Sequence, residues 1–187
     1  MDDRALRISV LLAAHIIFLS AGALRILRGE RKHLLRSHAP WFLQYYPPLV
    51  WIPFLVAYFF PLPVELPFGL RVVGLAIAIG SATFAAWAMW SLGKSYGIRM
   101  DLFEGHRLVT NGPYRLTRHP MYLGIVSYHV GATLAMESLA LFVFTLVYVI
   151  PFTAARIRAE DSVLAAGFGD EFRAFAGRIP TLVPFTR

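Results

Sequence analysis

Apolar residues along this chain form five long runs, and charged residues fall almost entirely between them. A helix needs about 20 apolar residues to cross the roughly 30 Å hydrocarbon core of a bilayer, and each run approaches or exceeds that length. The alternation of apolar and polar residues that is typical of half-buried strands is missing. The pattern therefore predicts an all-α integral membrane protein, a single domain over residues 1–187, with spans at approximately 8–27, 41–60, 68–92, 121–136 and 139–155.

Two of the five runs differ from a simple span. Pro47, Pro48 and Pro53 interrupt the second run, and a proline in a helix interior removes a hydrogen bond and clashes with the preceding turn. We therefore expect this helix to be bent or to begin late. In the fifth run the helical pattern continues to Ala166, so its last turns are predicted to project from the membrane within a cytoplasmic segment, residues 156–187.

The composition agrees with a membrane protein, because 57% of the residues are hydrophobic and 16% are charged, against about 25% charged in soluble domains. A net charge of +7 would suit nucleic acid, but the basic residues cluster in particular loops. An outside N-terminus leaves Arg4, Arg7 and Arg71 outside and the other 15 of the 18 Lys and Arg inside. We therefore predict a bilayer environment, no nucleic-acid partner and a cytoplasmic C-terminus, as in a prokaryotic inner membrane.

Several kinds of chemistry are excluded by the residues that the sequence lacks. The chain has no cysteine, which excludes disulfides, thiolate catalysis and thiolate metal ligands. Its six histidines do not fall at metal-ligand spacing with a carboxylate, so no metal site is predicted. Neither a G-x-G-x-x-G motif after a strand nor a Walker A motif is present.

The most polar stretch between two long apolar runs is residues 110–124, which read TNGPYRLTRHPMYLG. It opens with a turn signal and places Arg115, Arg118 and His119 shortly before Pro120. Proline is favoured at the first position of a helix, so a membrane helix is expected to begin there. Free N–H groups at a helix N-terminus, with these cations beside them, suit an anion or a cofactor carboxylate. The alternative is that the cations only anchor the chain at the membrane surface.

A second polar cluster, residues 156–161, follows the fifth span. Spans four and five are joined by almost no loop, so we expect an antiparallel hairpin whose cytoplasmic ends are neighbours. The two polar clusters would then lie at the same depth and form one site. Arg156 and Glu160 are four residues apart on one helix face, so a surface salt bridge worth under ~1 kcal/mol is the alternative.

Two histidines, His15 and His129, lie inside predicted spans. An ionisable residue within a membrane raises a functional hypothesis by default. For His15 we expect a packed or hydrogen-bonded core position. We favour the same position for His129, with a functional role as the alternative.

Taken together, the polar segments resemble the isoprenylcysteine carboxyl methyltransferase family and its bacterial and archaeal relatives. The matching pieces, in chain order, are residues 108–115, 118–124, 156–161, 168–169 and 178–180. They extend over roughly residues 90–187, and several separate motifs in one order make the resemblance specific. The first ninety residues carry no motif of this kind.

The resemblance implies a membrane methyltransferase that uses S-adenosylmethionine, bound at a cytoplasmic site formed by the 93–120 loop and the C-terminal helical segment. It implies His119, Glu160 and Arg178 as catalytic residues, with Arg178 near the reacting end. The usual family pattern has two glutamates where this chain has Glu160 and Asp161, which leaves the role of the shorter acid open. The implied cofactor-binding residues are Val109, Tyr114, Arg118, His119, Pro120, Tyr122, Leu123, Gly124 and Glu160.

The acceptor expected for such an enzyme is a lipophilic small molecule, such as an isoprenylcysteine carboxylate, that enters between helices from the bilayer. Methyl transfer from a sulfonium needs an in-line nucleophile and a dry, oriented site more than an acid or a base. A carboxylate is already ionised at neutral pH, whereas an amine or thiol acceptor would need a base, for which His119 and Glu160 are candidates. Whether oxygen, nitrogen or sulfur is the nucleophile stays open.

Two other functions stay open. A membrane sterol or lipid reductase that uses NADPH would resemble the same family in its C-terminal part, although 187 residues is short for one. A non-catalytic small membrane protein would leave the two converging polar clusters without a role. Small residues at near-helical spacing in the third span, such as Gly74 and Ala78, suit an oligomer contact as well as an internal one.

Overall fold

The computed structural model describes residues 3–27, 34–37, 41–44, 46–60, 62–96, 101–103 and 105–182. Most of these residues are helical, which confirms the predicted all-α class, and the described ranges add one pair of short strands. Residues 183–187 of the predicted cytoplasmic segment lie outside the described residues. So do residues 97–100 and Glu104 of the predicted 93–120 loop.

Among the described residues, three stretches of helix are long and apolar enough to cross a membrane: Arg4–Ala21, Phe68–Ser95 and Leu139–Phe168. They overlap the first, third and fifth predicted spans. The helix of the fourth predicted span, Pro120–Met136, has 17 residues. The count of five spans therefore stays a prediction.

The first and third spans are single helices of 25 residues each, α1 (Asp3–Leu27) and α5 (Phe68–Leu92). The second predicted span is instead divided into α2 (Trp41–Gln44), α3 (Tyr46–Leu49) and α4 (Ile52–Phe59). This division agrees with the interruption expected from the prolines in this run, one of which occupies the first turn of α4, where its missing N–H costs no helix bond.

Helix α6 (Pro120–Met136) packs closely against α5 through glycine. A Cβ built on Gly131 would lie 2.6 Å from the backbone nitrogen of Ala78, and one built on Gly124 would lie 2.7 Å from the Ala85 Cβ. Any larger residue at either position would force the two helices apart. The small residues of the third span therefore serve an internal helix contact, as small residues do where membrane helices meet closely.

A tight turn joins α6 to α7 (Leu139–Phe144), as the predicted hairpin requires. Glu137 has a positive φ of 54° at the end of α6, and the Ser138 hydroxyl accepts a hydrogen bond from the Leu141 N–H at the start of α7. A π-helical turn, Thr145–Val149, then leads into α8 (Ile150–Phe168). Gly169 ends α8, and α9 (Asp170–Ala176) follows directly.

Two short strands, β1 (Leu34–Ser37) and β2 (Asp101–Phe103), pair antiparallel. Both strands lie between predicted spans, and neither was predicted, because strands of three and four residues are too short to show an alternating pattern. Gly167 of α8 lies against Leu102 of β2, where a Cβ would come within 2.4 Å of the leucine side chain. The strand pair is thereby attached to the C-terminal helices.

The two intramembrane histidines occupy the core positions expected of them. The His15 Nδ1 lies 2.6 Å from the Tyr128 hydroxyl, and its ring packs against Trp51 and Phe54 at centroid distances of 4.7 and 4.6 Å. His129 is fully buried, with its ring nitrogens 2.8 Å from the Ile125 carbonyl oxygen and 3.0 Å from that of Val50. Both histidines therefore fasten α1, α6 and the chain around α4 to one another.

A polar cluster of one buried and two partly buried side chains lies at the C-terminal end of α6. The Arg7 Nη1 lies 2.9 Å from Glu137 Oε2 and 2.5 Å from the Ala135 carbonyl oxygen, and the Arg71 Nη1 lies 3.7 Å from the same Glu137 oxygen. The Leu66 N–H donates to the other Glu137 oxygen at 3.0 Å. We call this end of the bundle, defined by Arg7, Arg71 and Glu137, the distal end.

Candidate functional site

A cavity of about 890 Å³, counted with its open mouth, lies at the end of the bundle opposite the distal end. Its walls come from the start of α6, the middle of α8, the inner face of α9, and a loop that includes residues 106–109. The cavity brings together the two polar clusters that the hairpin was predicted to make neighbours.

The turn before α6 forms as its residue types require. Residues Gly112–Arg115 make a 3-10 turn, and Gly112 has a positive φ of 57° that favours glycine. Pro120 is the first residue of α6, and His119 directly precedes it. The sequence signals for a turn and a helix start are therefore both confirmed. They carry Tyr114 and His119 to the cavity wall.

Tyr122 links Glu160 to a buried cation. Its hydroxyl donates to Glu160 Oε2 at 2.5 Å and accepts from the Arg156 Nε at 2.9 Å. Arg156 also donates to the Leu43 carbonyl oxygen and lies 5.9 Å from the Tyr46 ring centroid. Since Arg156 is only 3% exposed and lines the cavity, the alternative of a surface salt bridge is wrong for this residue.

His119 and Arg118 both contact the second acid, Asp161. The His119 Nε2 lies 2.8 Å from Asp161 Oδ1, and the Arg118 Nη2 lies 3.2 Å from Asp161 Oδ2. Asp161 itself is not among the residues that line the cavity. The two neighbouring acids of α8 thus have different surroundings, because Glu160 faces the cavity and Asp161 faces the chain segment that leads into α6.

Arg118 also fastens the C-terminal tail beside the cavity. Its backbone N–H donates to the Pro180 carbonyl oxygen at 2.9 Å, its Nη1 to the Ala176 carbonyl oxygen at 3.0 Å and its Nη2 to the Thr181 hydroxyl at 2.6 Å. The neighbouring Thr117 hydroxyl donates to the Thr181 carbonyl oxygen at 2.8 Å. These bonds hold the tail and α9 against the start of α6.

The rest of the cavity wall is largely apolar and buried. Phe172 and Phe175 project from α9, and Val163 projects from α8. Burial raises the pKa of Tyr114 well above its usual range, and the nearby charge of Glu160 raises it further. Tyr114 therefore keeps its proton at neutral pH and acts as a neutral hydroxyl in the cavity wall.

The structure brings six of the predicted site residues to the cavity wall, and four lie elsewhere. Of those four, Gly124 packs against α5, and Arg178 is exposed and donates from its Nε to the Ala174 carbonyl oxygen at 3.2 Å. Pro120 and Leu123 belong to the first turn of α6 but are not among the lining residues. The six that line the cavity are Val109, Tyr114, Arg118, His119, Tyr122 and Glu160.

Sequence reasoning missed several residues of the site. The inward position of Arg156 follows the spacing of Glu160 and Leu164, which share its helix face, but the sequence does not show which face of α8 is turned inward. Phe172 and Phe175 of α9 also line the cavity and were not assigned to the site. Leu102 lines the cavity from a strand that carried no sequence signal.

The fold and the site together define an integral membrane protein with a cavity at one end of its helical bundle, where polar side chains of α6 and α8 meet. The family model that matches the chain is that of the isoprenylcysteine carboxyl methyltransferase (ICMT) family, over residues 72–166. This match covers half of the chain, and the chain belongs to this family. It includes the start of α6 and both acids of α8, so it overlaps the cavity wall described above.

Individual relatives agree with the family match. The chain is 34% identical over 116 residues to a probable protein-S-isoprenylcysteine O-methyltransferase of Oryza sativa subsp. indica, and the aligned segment covers 60% of each chain. It is 28% identical over 120 residues to the protein-S-isoprenylcysteine O-methyltransferase of Homo sapiens, and the aligned segment covers 63% of this chain and 42% of the human protein. The chain therefore spans about three fifths of the plant relative and less than half of the human one.

A solved structure is similar as well. The eukaryotic intramembrane Ras methyltransferase ICMT superposes with a TM-score of 0.60 at 26% identity, over 81% of this chain and 55% of that protein. The similarity therefore extends beyond the segment matched by the family model. Together with the long apolar helices, it identifies this chain as an integral membrane protein.

Proposed function

We propose that the chain is a membrane methyltransferase that uses S-adenosylmethionine to methylate a lipophilic carboxylate of the S-isoprenylcysteine kind. The observation that carries the proposal is the cavity in which His119 and Tyr122 of one helix start meet Arg156 and Glu160 of the neighbouring helix. The names of the relatives, protein-S-isoprenylcysteine O-methyltransferases, supply the reaction class.

The side chains of the cavity fit the chemical groups of this cofactor. Its sulfonium and ammonium groups are cationic and suit the Glu160 carboxylate, which Tyr122 holds at the cavity wall. Its carboxylate suits Arg118, whose Nε is buried and has no hydrogen-bond partner among the described residues. Its adenine suits the aromatic faces of Phe172 and Phe175.

The proposed reaction asks the protein to orient two molecules and exclude water. The cofactor, when bound, supplies a methyl group whose bond to sulfur breaks as its bond to the acceptor oxygen forms, and the electron pair stays on sulfur. A carboxylate acceptor has no proton to lose, so no side chain of the cavity needs to act as a base. Arg156, a buried cation in the wall, would attract and orient such an anion. Apolar residues beside it, such as Met121, suit a lipid tail.

We also infer that the cavity opens toward the cytoplasm and that the N-terminus lies outside. Three arginines, Arg4, Arg7 and Arg71, lie on the distal side in the predicted topology, and Arg7 and Arg71 lie close to Glu137 there. In the same predicted topology, the remaining Lys and Arg fall on the side of the cavity. The positive-inside rule assigns the side richer in Lys and Arg to the cytoplasm.

Calorimetric titration of the purified protein in detergent tests the cofactor first. We expect S-adenosylhomocysteine to bind with micromolar affinity and NADPH not to bind. Binding of NADPH alone would favour the reductase. Binding of neither compound by a protein shown to be folded would favour a non-catalytic membrane protein.

Transfer of a labelled methyl group then tests the acceptor. We expect N-acetyl-S-prenylcysteine to be methylated and its carboxamide, which keeps the lipid but lacks the carboxylate, to stay unmodified. Methylation of the carboxamide at the same rate would exclude the carboxylate as nucleophile. Labelling of neither compound by a protein that binds the cofactor would assign the enzyme to another acceptor.

A further inference from the structure

We infer that Asp161 is a positioning residue that holds His119 in one tautomer and one orientation toward the cavity, while Glu160 alone of the two acids faces the ligand. This inference rests on the proposed function, because it assigns a task within the same site. It gives different roles to the two consecutive acids of α8: Glu160 contacts the ligand, and Asp161 positions His119. Their adjacency in the sequence does not distinguish these roles.

The contacts of the two acids carry the division. Successive residues of a helix point about 100° apart, so Glu160 and Asp161 cannot face the same surroundings. Glu160 lines the cavity and accepts from Tyr122 at 2.5 Å. Asp161 does not line the cavity, and its two oxygens lie 2.8 Å from His119 Nε2 and 3.2 Å from Arg118 Nη2.

The chemistry of the contact sets the state of the histidine. A carboxylate only accepts hydrogen bonds, so the His119 Nε2 must carry a proton to bond with Asp161. In the neutral ring the Nδ1 then has a lone pair, and Nδ1 is the ring nitrogen left for a further contact. His119 is 4% exposed and lines the cavity, so an imidazole that is held in this way presents one defined face to a ligand.

Arg118 restricts the movement of the Asp161 carboxylate. It contacts the other oxygen of Asp161 and is itself bonded to Ala176 of α9 and to Pro180 and Thr181 of the tail. The carboxylate is therefore fixed from two sides, by the histidine it positions and by a cation that is anchored elsewhere. A group fixed in this way keeps its partner in place without any contact of its own with the ligand.

A double-mutant cycle tests the inference on the full-length protein, with the dissociation constant of S-adenosylhomocysteine as the measurement. We expect Asp161→Asn to weaken binding roughly tenfold, because an amide both donates and accepts and no longer selects the tautomer. His119→Ala should weaken binding by a similar factor. The double variant should lose no more than His119→Ala alone, since Asp161 acts through the histidine.

Two further variants separate positioning from folding. Asp170→Asn makes the same substitution at an exposed side chain that pairs with Arg173, and it should leave binding within about twofold. Asp161→Glu keeps the charge and should restore most of the affinity that Asn loses. If Asp161→Asn does not fold, the same cycle is measured with Asp161→Glu, whose smaller loss should vanish in the His119→Ala background.

Three results would overturn the inference. Wild-type affinity in Asp161→Asn would exclude any role of Asp161 in binding. Losses that multiply to about a hundredfold in the double variant would show that Asp161 acts independently of His119. A lower unfolding temperature with unchanged affinity would leave Asp161 a purely structural residue. Failure of the proposed function is distinct from all three, because the wild-type protein itself would then bind no S-adenosylhomocysteine.

Discussion

Both ends of the helical bundle contain a buried arginine, but the two arginines are bonded differently. At the distal end, Arg7 is 7% exposed, bonds to a backbone carbonyl oxygen and lies 2.9 Å from Glu137. At the cavity end, Arg156 is 3% exposed and also bonds to a backbone carbonyl oxygen. Its Nε donates to the Tyr122 hydroxyl, which in turn donates to Glu160. A tyrosine therefore links cation and carboxylate at one end, whereas the two meet directly at the other.

The space beside each arginine differs accordingly. The pocket at Arg7 measures about 260 Å³ with its open mouth, against about 890 Å³ for the cavity at Arg156. The distal cluster joins α1, α5 and the turn after α6, and Glu137 is held by the Leu66 N–H as well. Both ends therefore bury an arginine, and they differ in the tyrosine between cation and carboxylate and in the size of the adjoining cavity.

The largest effect should follow from removing the acid at the cavity. We expect Glu160→Ala to reduce the affinity for S-adenosylhomocysteine by more than about a hundredfold, because a charged partner of a cationic ligand is lost. The circular dichroism spectrum should stay helical. Glu171→Ala, an exposed acid on α9, is the control and should bind normally. Normal binding by Glu160→Ala would place the site elsewhere.

The distal arginine should affect folding and not binding. We expect Arg7→Met to lower the free energy of unfolding by about 3 kcal/mol, because it leaves the Glu137 carboxylate with fewer partners in a largely buried turn. Affinity for S-adenosylhomocysteine should stay within about twofold. Thermal unfolding in detergent measures the first quantity and calorimetry the second. A loss of affinity without a loss of stability would contradict the comparison between the two ends.

A substitution at Gly124 distinguishes a role in helix packing from a role in cofactor binding. The family resemblance predicts a cofactor contact there, whereas the structure shows a contact with α5. We expect Gly124→Ala to lower the free energy of unfolding by about 1–3 kcal/mol through overpacking against Ala85. Gly80→Ala is a matched control, because nothing lies within 4 Å of a Cβ there. It should stabilise by up to ~1 kcal/mol through helix propensity. A loss of affinity at unchanged stability would instead favour the cofactor contact.

The smallest effect should be a pH dependence that arises at the distal end. Burial would raise the pKa of Glu137, but the Leu66 N–H and the Arg7 and Arg71 guanidinium groups outweigh it and hold the pKa below the usual 4.5. A carboxyl group with a lowered folded-state pKa stabilises the fold above its unfolded pKa and loses this contribution as the pH falls through the lowered value. Thermal unfolding should therefore shift downward below about pH 4.5, and less in Glu137→Gln. An equal shift in both proteins would assign the acid sensitivity to other groups.

Local signals in the sequence predicted the features that depend on neighbouring residues. The turn at Gly112, the helix start at Pro120 and the hairpin turn between α6 and α7 each follow from residues within a few positions. The same signals brought the two polar clusters of the cavity wall together, because a tight hairpin forces its two open ends together. Gly124, which packs against Ala85, was an exception. A glycine is compatible both with a close helix contact and with a ligand contact, so the residue type alone does not distinguish the two.

Features that depend on distant partners were not predictable in this way. Strand β1 pairs with a segment more than sixty residues later, and neither strand is long enough to show a period of two. The inward position of Arg156 depends on Tyr122 and Leu43, which lie on other parts of the chain. Apolar residues occur on several faces of α8, so helical spacing alone did not show which face lies inside.

The contact between the start of α6 and the tail also restricts which substitutions the sequence can accept during evolution. The bond from the Arg118 N–H reaches a backbone carbonyl oxygen, at Pro180, and any amino acid at position 180 would supply that atom. The bond from Arg118 Nη2 to the Thr181 hydroxyl involves two particular side chains. Among homologous sequences, this backbone bond therefore places no demand on the residue type at position 180, whereas a change at position 118 should be accompanied by a change at position 181. Covariation of positions 118 and 181 would then record, in the sequences themselves, a contact between residues more than sixty positions apart.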